Sequence, residues 1–165
     1  MSALPAPAEV LPHRPPFLLL DEVTELRVGE GARGRWRLTG DEDFFAGHFP
    51  GRPTLPGVLM LEAIAQLGAY AVLSDERFAG KLPLFGGVEK SRFRRQVVPG
   101  DALELEVELG RMSARAGKGS GRAHVGGETA CETELLFVFA DADERDEAPR
   151  SAEPGPGGPK GTTQS

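Results

Sequence analysis

The chain has 165 residues and a formal net charge of −6, which fits one domain with a sizeable core, because folding at this length buries about 70% of the surface of the unfolded chain. The acidic balance excludes general nucleic-acid binding, which needs many Lys and Arg facing one polyanion. A single cysteine, Cys131, excludes an intrachain disulfide, and with three histidines and no Cys-x-x-Cys pair there is no conventional structural zinc site.

Residues 1–7 lack a basic stretch followed by an apolar one, so no signal peptide is expected and the cytoplasm is the expected compartment. Residues 17–26 and 34–38 carry apolar and β-favouring side chains around Gly29-Glu30-Gly31, a pattern that predicts a hairpin. Residues 44–57 follow a polar break and are too rich in Pro and Gly for regular structure, which predicts a constrained loop.

From Val58 to about Phe78, the residues Leu59, Met60, Ala63, Ile64, Leu67, Ala71 and Val72 recur at helical spacing, with Pro56 near the first turn. Apolar residues on almost every face predict a helix surrounded by other elements. Residues 55–73 are interrupted by Glu62, Gln66 and two glycines and fall short of a membrane span.

Residues 82–88, 92–98, 102–109, 121–125 and 128–139 predict short strands, separated by Pro99-Gly100-Asp101, the glycine-rich stretch 117–121 and Gly126-Gly127. Cys131 reads as a small buried strand residue. One long buried helix among antiparallel strands implies an α+β fold with the sheet curled around the helix. Beyond Ala140 the composition lacks the apolar residues that offset ordering entropy, so residues 141–165 are expected to be a disordered tail to a domain spanning 8–140.

His48 lies in the Pro- and Gly-framed loop and Glu62 in the apolar helix. A carboxylate buried there costs several kcal/mol unless it is paired or protonated, and burial raises its pKa toward the range of a general acid. The alternative is a wet helix face on which Glu62 and Gln66 make ordinary hydrogen bonds. For His48 the alternative to catalysis is a capping or packing role, but Pro50, Pro53 and Pro56 stiffen its segment. Gly57 brings an N–H to the positive end of the helix dipole, suited to polarising a thioester carbonyl, or it supplies loop flexibility alone.

The segments LPHRPPFLLLD (11–21), GHFPGRPTLPGVLMLEAIAQ (47–66) and RFRRQVVPGD (92–101) resemble the (3R)-hydroxyacyl-acyl-carrier-protein dehydratases of bacterial fatty-acid synthesis. The match spans most of residues 10–139, in the same order. The resemblance implies a hot-dog fold, a long central helix wrapped by a curved antiparallel sheet of about six strands. It further implies a homodimer, commonly assembled into a hexamer, with the active site at the dimer interface.

In that picture His48 of one copy is the base for the C2 proton. Glu62 of the other copy, directly or through water, protonates the departing 3-hydroxyl, the Gly57 N–H binds the thioester carbonyl, and no metal or organic cofactor takes part. Glu62 stands where the isomerising relatives carry Asp, which favours simple dehydration. Pro15 departs from the aromatic residue often found there, and His13 and Arg14 read as structural. Phe49, Pro56, Val58, Leu59, Phe85 and Phe93 are expected around the acyl chain.

Lys90, Arg92, Arg94 and Arg95 form a local basic cluster on an acidic chain. Arg92, Arg94 and Arg95 are expected to steer an acidic acyl carrier protein, or else to form a solvated face with ion pairs of their own. Two other readings stay open: an acyl-thioester hydrolase using the same groups, and a non-catalytic acyl-binding subunit. Neither nucleic acid nor membrane insertion is expected.

Overall fold

The structure is a computed structural model that describes residues 3–142. The chain opens with a one-turn helix, α1 (Pro7–Val10), that the sequence reading did not anticipate. Pro at its first position costs no hydrogen bond, and Glu9 accepts from the Ala6 N–H at 2.6 Å. β1 (Glu22–Arg27) and β2 (Gly31–Arg37) form the expected hairpin, closed by Gly29 at φ +74°.

The long helix α2 (Gly57–Leu73) starts one residue before the expected position and stops five before it. Ser74 caps it, and Asp75 accepts the Arg77 N–H to start a separate 3-10 turn, Glu76–Phe78. Met60 and every residue from Ala63 to Val72 are buried, as an all-round apolar helix requires.

β3 (Lys81–Phe93), β4 (Ala102–Met112), β5 (Ala116–Val125) and β6 (Glu128–Asp141) complete one antiparallel sheet in the order β1-β2-β4-β5-β6-β3. Trp36, Leu103, Leu105, Val107, Leu135 and Phe137 point from it onto α2, each large apolar side chain contributing about 1.5–3 kcal/mol through burial.

The sheet corrects two expectations. The strands expected at 82–88 and 92–98 are one strand, β3, interrupted by a bulge between Glu89 and Arg92 where Lys90 takes φ +48°. Residues 94–98 are not strand; they run beside the His48 loop, with the Leu55 N–H donating to the Val97 carbonyl at 2.8 Å.

The glycines at 117–121 do not break a strand, because they lie within β5. An added Cβ at Gly121 would lie 2.2 Å from Ile64 Cγ2, so glycine there lets the helix approach the sheet. Ile64 is fully buried at that contact.

Asp141, expected in the tail, ends β6 and pairs with Lys81; residues 143–165 lie outside the described ones. No helix among the described residues is long and apolar enough to cross a membrane. A single buried helix held in a curved six-stranded antiparallel sheet is the hot-dog fold that the sequence resemblance implies.

Candidate active site

The His48 loop folds back on itself. The Thr54 N–H donates to the His48 carbonyl at 2.8 Å, and His48 Nδ1 lies 2.7 Å from the Thr54 carbonyl oxygen. A carbonyl only accepts, so Nδ1 carries a hydrogen, and in the neutral ring the lone pair is on Nε2. That tautomer makes Nε2 the nitrogen that can accept a proton. Phe49 stacks on the imidazole with centroids 4.1 Å apart, and Gln96 donates to Thr54 Oγ1 at 2.8 Å from the segment beyond β3. Thr54 and Gln96 were not singled out from the sequence, and the fixation of His48 comes from these bonds as well as from the prolines.

Gly57 is the first residue of α2, where an N–H has no intrahelical acceptor. An added Cβ would lie 2.9 Å from the Phe93 ring, so glycine is needed here for close approach and not for flexibility. Phe93 was expected near the acyl chain; it covers the helix start.

His48, Gly57, Val58, Phe93, Arg94 and Arg95 line one cleft of about 540 Å³, together with Thr54 and Gln96. Glu62 lines another, of about 200 Å³, with His13, Gln66 and Phe85. Glu62 follows Gly57 by five residues, which places it about 140° around the helix axis and about 7.5 Å along it. One chain thus presents His48 and Glu62 in different clefts.

The remaining expected residues are scattered. Phe49 reaches a third recess beside Gly40 and Pro99, Pro56 is the residue preceding α2, and Leu59 packs half-buried against the core. Arg92 borders a groove of about 560 Å³ with Glu106 and Arg122.

Glu62 accepts a hydrogen bond from Gln66 Nε2 at 2.9 Å. Gln66 is buried and fully engaged: its Oε1 accepts the Leu19 N–H at 2.8 Å, and its Nε2 also donates to the Phe17 carbonyl at 2.9 Å. His13, read from the sequence as structural, comes within 3.6 Å of Glu62 Oε1. The short sequence spacing of Glu62 and Gln66 signals their contact; nothing local signals the other partners.

Most of the basic cluster is internally paired. Lys90 meets Glu134 at 2.8 Å, Arg94 meets Glu132 at 2.5 Å, and Arg95 reaches Glu128 at 3.3 Å and Asp101 at 3.8 Å. The hydrogen bond from Arg94 holds the Glu132 carboxyl below its usual range. Arg92 makes no ion pair among the described residues. Cys131 is buried in β6, and burial pushes its thiol up to about 11. No group of three or more His, Cys, Asp or Glu among the described residues is arranged to hold a metal.

Known proteins resemble the chain at both levels. The profile of the FabA-like domain matches residues 11–134. The 3-hydroxyacyl-[acyl-carrier-protein] dehydratase FabZ of Moorella thermoacetica is 55% identical over 132 residues, covering 80% of this chain and 92% of that protein.

Among solved structures, the dehydratase heterocomplex ApeI:P of Xenorhabdus doucetiae superposes with a TM-score of 0.71 at 17% identity, over 84% of this chain and 93% of that one. A hypothetical thioesterase from Streptococcus pneumoniae, solved with coenzyme A, does so with a TM-score of 0.57 at 10% identity, over 73% and 85%. The fold is thus shared by proteins named for two activities, and the sequence likeness separates them. The chain belongs to the FabA-like domain family and, within it, to the 3-hydroxyacyl-[acyl-carrier-protein] dehydratases.

Proposed function

We propose that this protein removes water from (3R)-3-hydroxyacyl-acyl-carrier-protein to give the trans-2-enoyl product in fatty-acid biosynthesis, with His48 as base and Glu62 as acid. The observation that carries the roles is the His48 Nδ1 bond to the Thr54 carbonyl at 2.7 Å, which leaves Nε2 free in the cleft that holds the Gly57 amide. With the thioester carbonyl on the Gly57 N–H, negative charge developing on that oxygen is stabilised as His48 takes the C2 proton. Glu62 gives a proton to the leaving 3-hydroxyl, and water departs. These steps use groups of the protein alone.

Because His48 and Glu62 of one chain line different clefts, the working site needs a second copy. β3 lies at the sheet edge with one side unpaired, and Leu84, Phe85, Val88 and Phe93 on it are each more than 40% exposed. An apolar unpaired edge is a surface that a partner strand covers. We place the enzyme in the cytoplasm as a homodimer built into a hexamer, His48 of one copy facing Glu62 of the next.

Arg94 and Arg95 at the His48 cleft, with Arg92 nearby in sequence, would meet the acidic carrier. Their internal pairs reduce the charge left to steer it, so the effect is on association and fades with salt.

The test follows enoyl absorbance and free thiol together during turnover of a 3-hydroxyacyl thioester. Enoyl product without thiol is expected, falling about 10²- to 10⁴-fold in His48→Ala and in Glu62→Gln. Thiol release would identify a hydrolase, and no reaction on either channel a binding subunit.

A further inference from the structure

We propose that His13 is a positioning residue for Glu62, acting with Gln66 to hold Oε1 so that Oε2 is the oxygen offered to the substrate. The inference rests on the reading of Glu62 as the acid and goes beyond it by assigning the two carboxyl oxygens and a further residue.

Oε1 is occupied. It accepts from Gln66 Nε2 at 2.9 Å and has His13 Nε2 at 3.6 Å, while Oε2 has no partner among the described residues. Gln66 cannot turn away, because the Leu19 N–H at its Oε1 fixes which end of the amide is which, and its two N–H groups are used on the Phe17 carbonyl and on Glu62. A carboxyl whose Oε1 receives an N–H keeps that oxygen as the acceptor, so the acidic proton belongs on Oε2.

His13 adds the second hold. Its imidazole borders the same cleft as Glu62, its Nδ1 is buried without a hydrogen-bond partner, and its one polar side-chain contact among the described residues is the approach to Glu62. An apolar side chain of similar size would fill that space and leave no orphaned nitrogen. What the imidazole contributes is therefore its interaction with the carboxyl. At 3.6 Å that approach is longer than a hydrogen bond, and contacts of this kind tighten when substrate fills a site. The backbone beneath is fixed, because Arg14 Nη1 donates to the carbonyls of Leu11 and His13 at 2.8 and 2.6 Å.

The experiment is a double-mutant cycle on the full chain, with kcat and KM measured for His13→Ala, His13→Gln, Glu62→Gln and the pair His13→Ala/Glu62→Gln, beside melting temperature and oligomeric state. His13→Ala is expected to lower kcat about 10- to 100-fold with KM changed less than about threefold, as displacement of a catalytic group does. His13→Gln, which keeps an N–H donor, recovers most of the loss and carries the test if His13→Ala does not fold. In the Glu62→Gln background His13→Ala changes kcat by less than about twofold, because the group it serves is already gone.

Equal losses in both backgrounds, or a His13→Ala enzyme with wild-type kcat, would overturn the positioning role while leaving Glu62 as the acid. Wild-type kcat in Glu62→Gln would overturn both.

Discussion

His48 is oriented by Thr54, six residues away, whereas Glu62 is oriented by a glutamine whose own partners, Leu19 and Phe17, lie 47 and 49 residues from it. His48 is held by a loop that closes on itself. Glu62 is held by the N-terminal segment laid across α2, where the Tyr70 hydroxyl donates to the Pro5 carbonyl at 2.8 Å and Leu11 is buried. The difference teaches that His48 is oriented by local folding and Glu62 by tertiary packing. Damage to the first should therefore reach catalysis without unfolding the protein, and damage to the second should reach both.

The largest effect that separates the two sides is expected at Gly57. Gly57→Ala drives a methyl against the Phe93 ring, so kcat/KM should fall about 100-fold while the melting temperature moves little. Phe93→Leu in the same chain should restore part of it, and a lack of any restoration would detach the effect from that contact. Steady-state kinetics with thermal melts reads both outcomes.

On the Glu62 side, Gln66→Leu strips partners from the Leu19 N–H and the Phe17 carbonyl, so it should cost about 2–4 kcal/mol in urea unfolding and lower kcat about 10-fold. A Gln66→Leu protein of native stability would break the comparison. Gln96→Ala removes only the prop behind Thr54, and kcat should drop about threefold with stability within about 1 kcal/mol of wild type.

The smallest effect concerns Cys131, whose thiol burial pushes up to about 11. Iodoacetamide at pH 8.5 should leave the native chain unlabelled and label it in urea. The folded state keeps a proton that an unfolded thiol loses near pH 8.5, so this group lowers stability as pH rises from about 8.5 to about 11.

How much of this was legible in the sequence follows the same division. The central helix and the constrained loop are written in local composition and spacing, and so are the places of His48 in that loop, Glu62 in that helix and Gly57 at its start. What was missed is non-local. Gly117, Gly119 and Gly121 read as a break because loops and tight helix–sheet contacts use the same residue, and only Ile64 across the interface tells them apart. The bulge at Lys90 and Ser91 looked like a gap between two strands, since a bulge carries the same irregular alternation. His13 looked structural because its partner is 49 positions away, and the ion pairs of Lys90, Arg94 and Arg95 needed the register of β3 and β6.

The most direct test of the account is complementation between two dead variants. His48→Ala and Glu62→Gln chains, each inactive alone, are coexpressed and assayed for enoyl formation. Random pairing makes half of the dimers mixed, and each mixed dimer carries one intact site of two, so about a quarter of wild-type activity should return. Activity no higher than that of either variant alone, with mixed dimers shown to form, would contradict a site shared between copies.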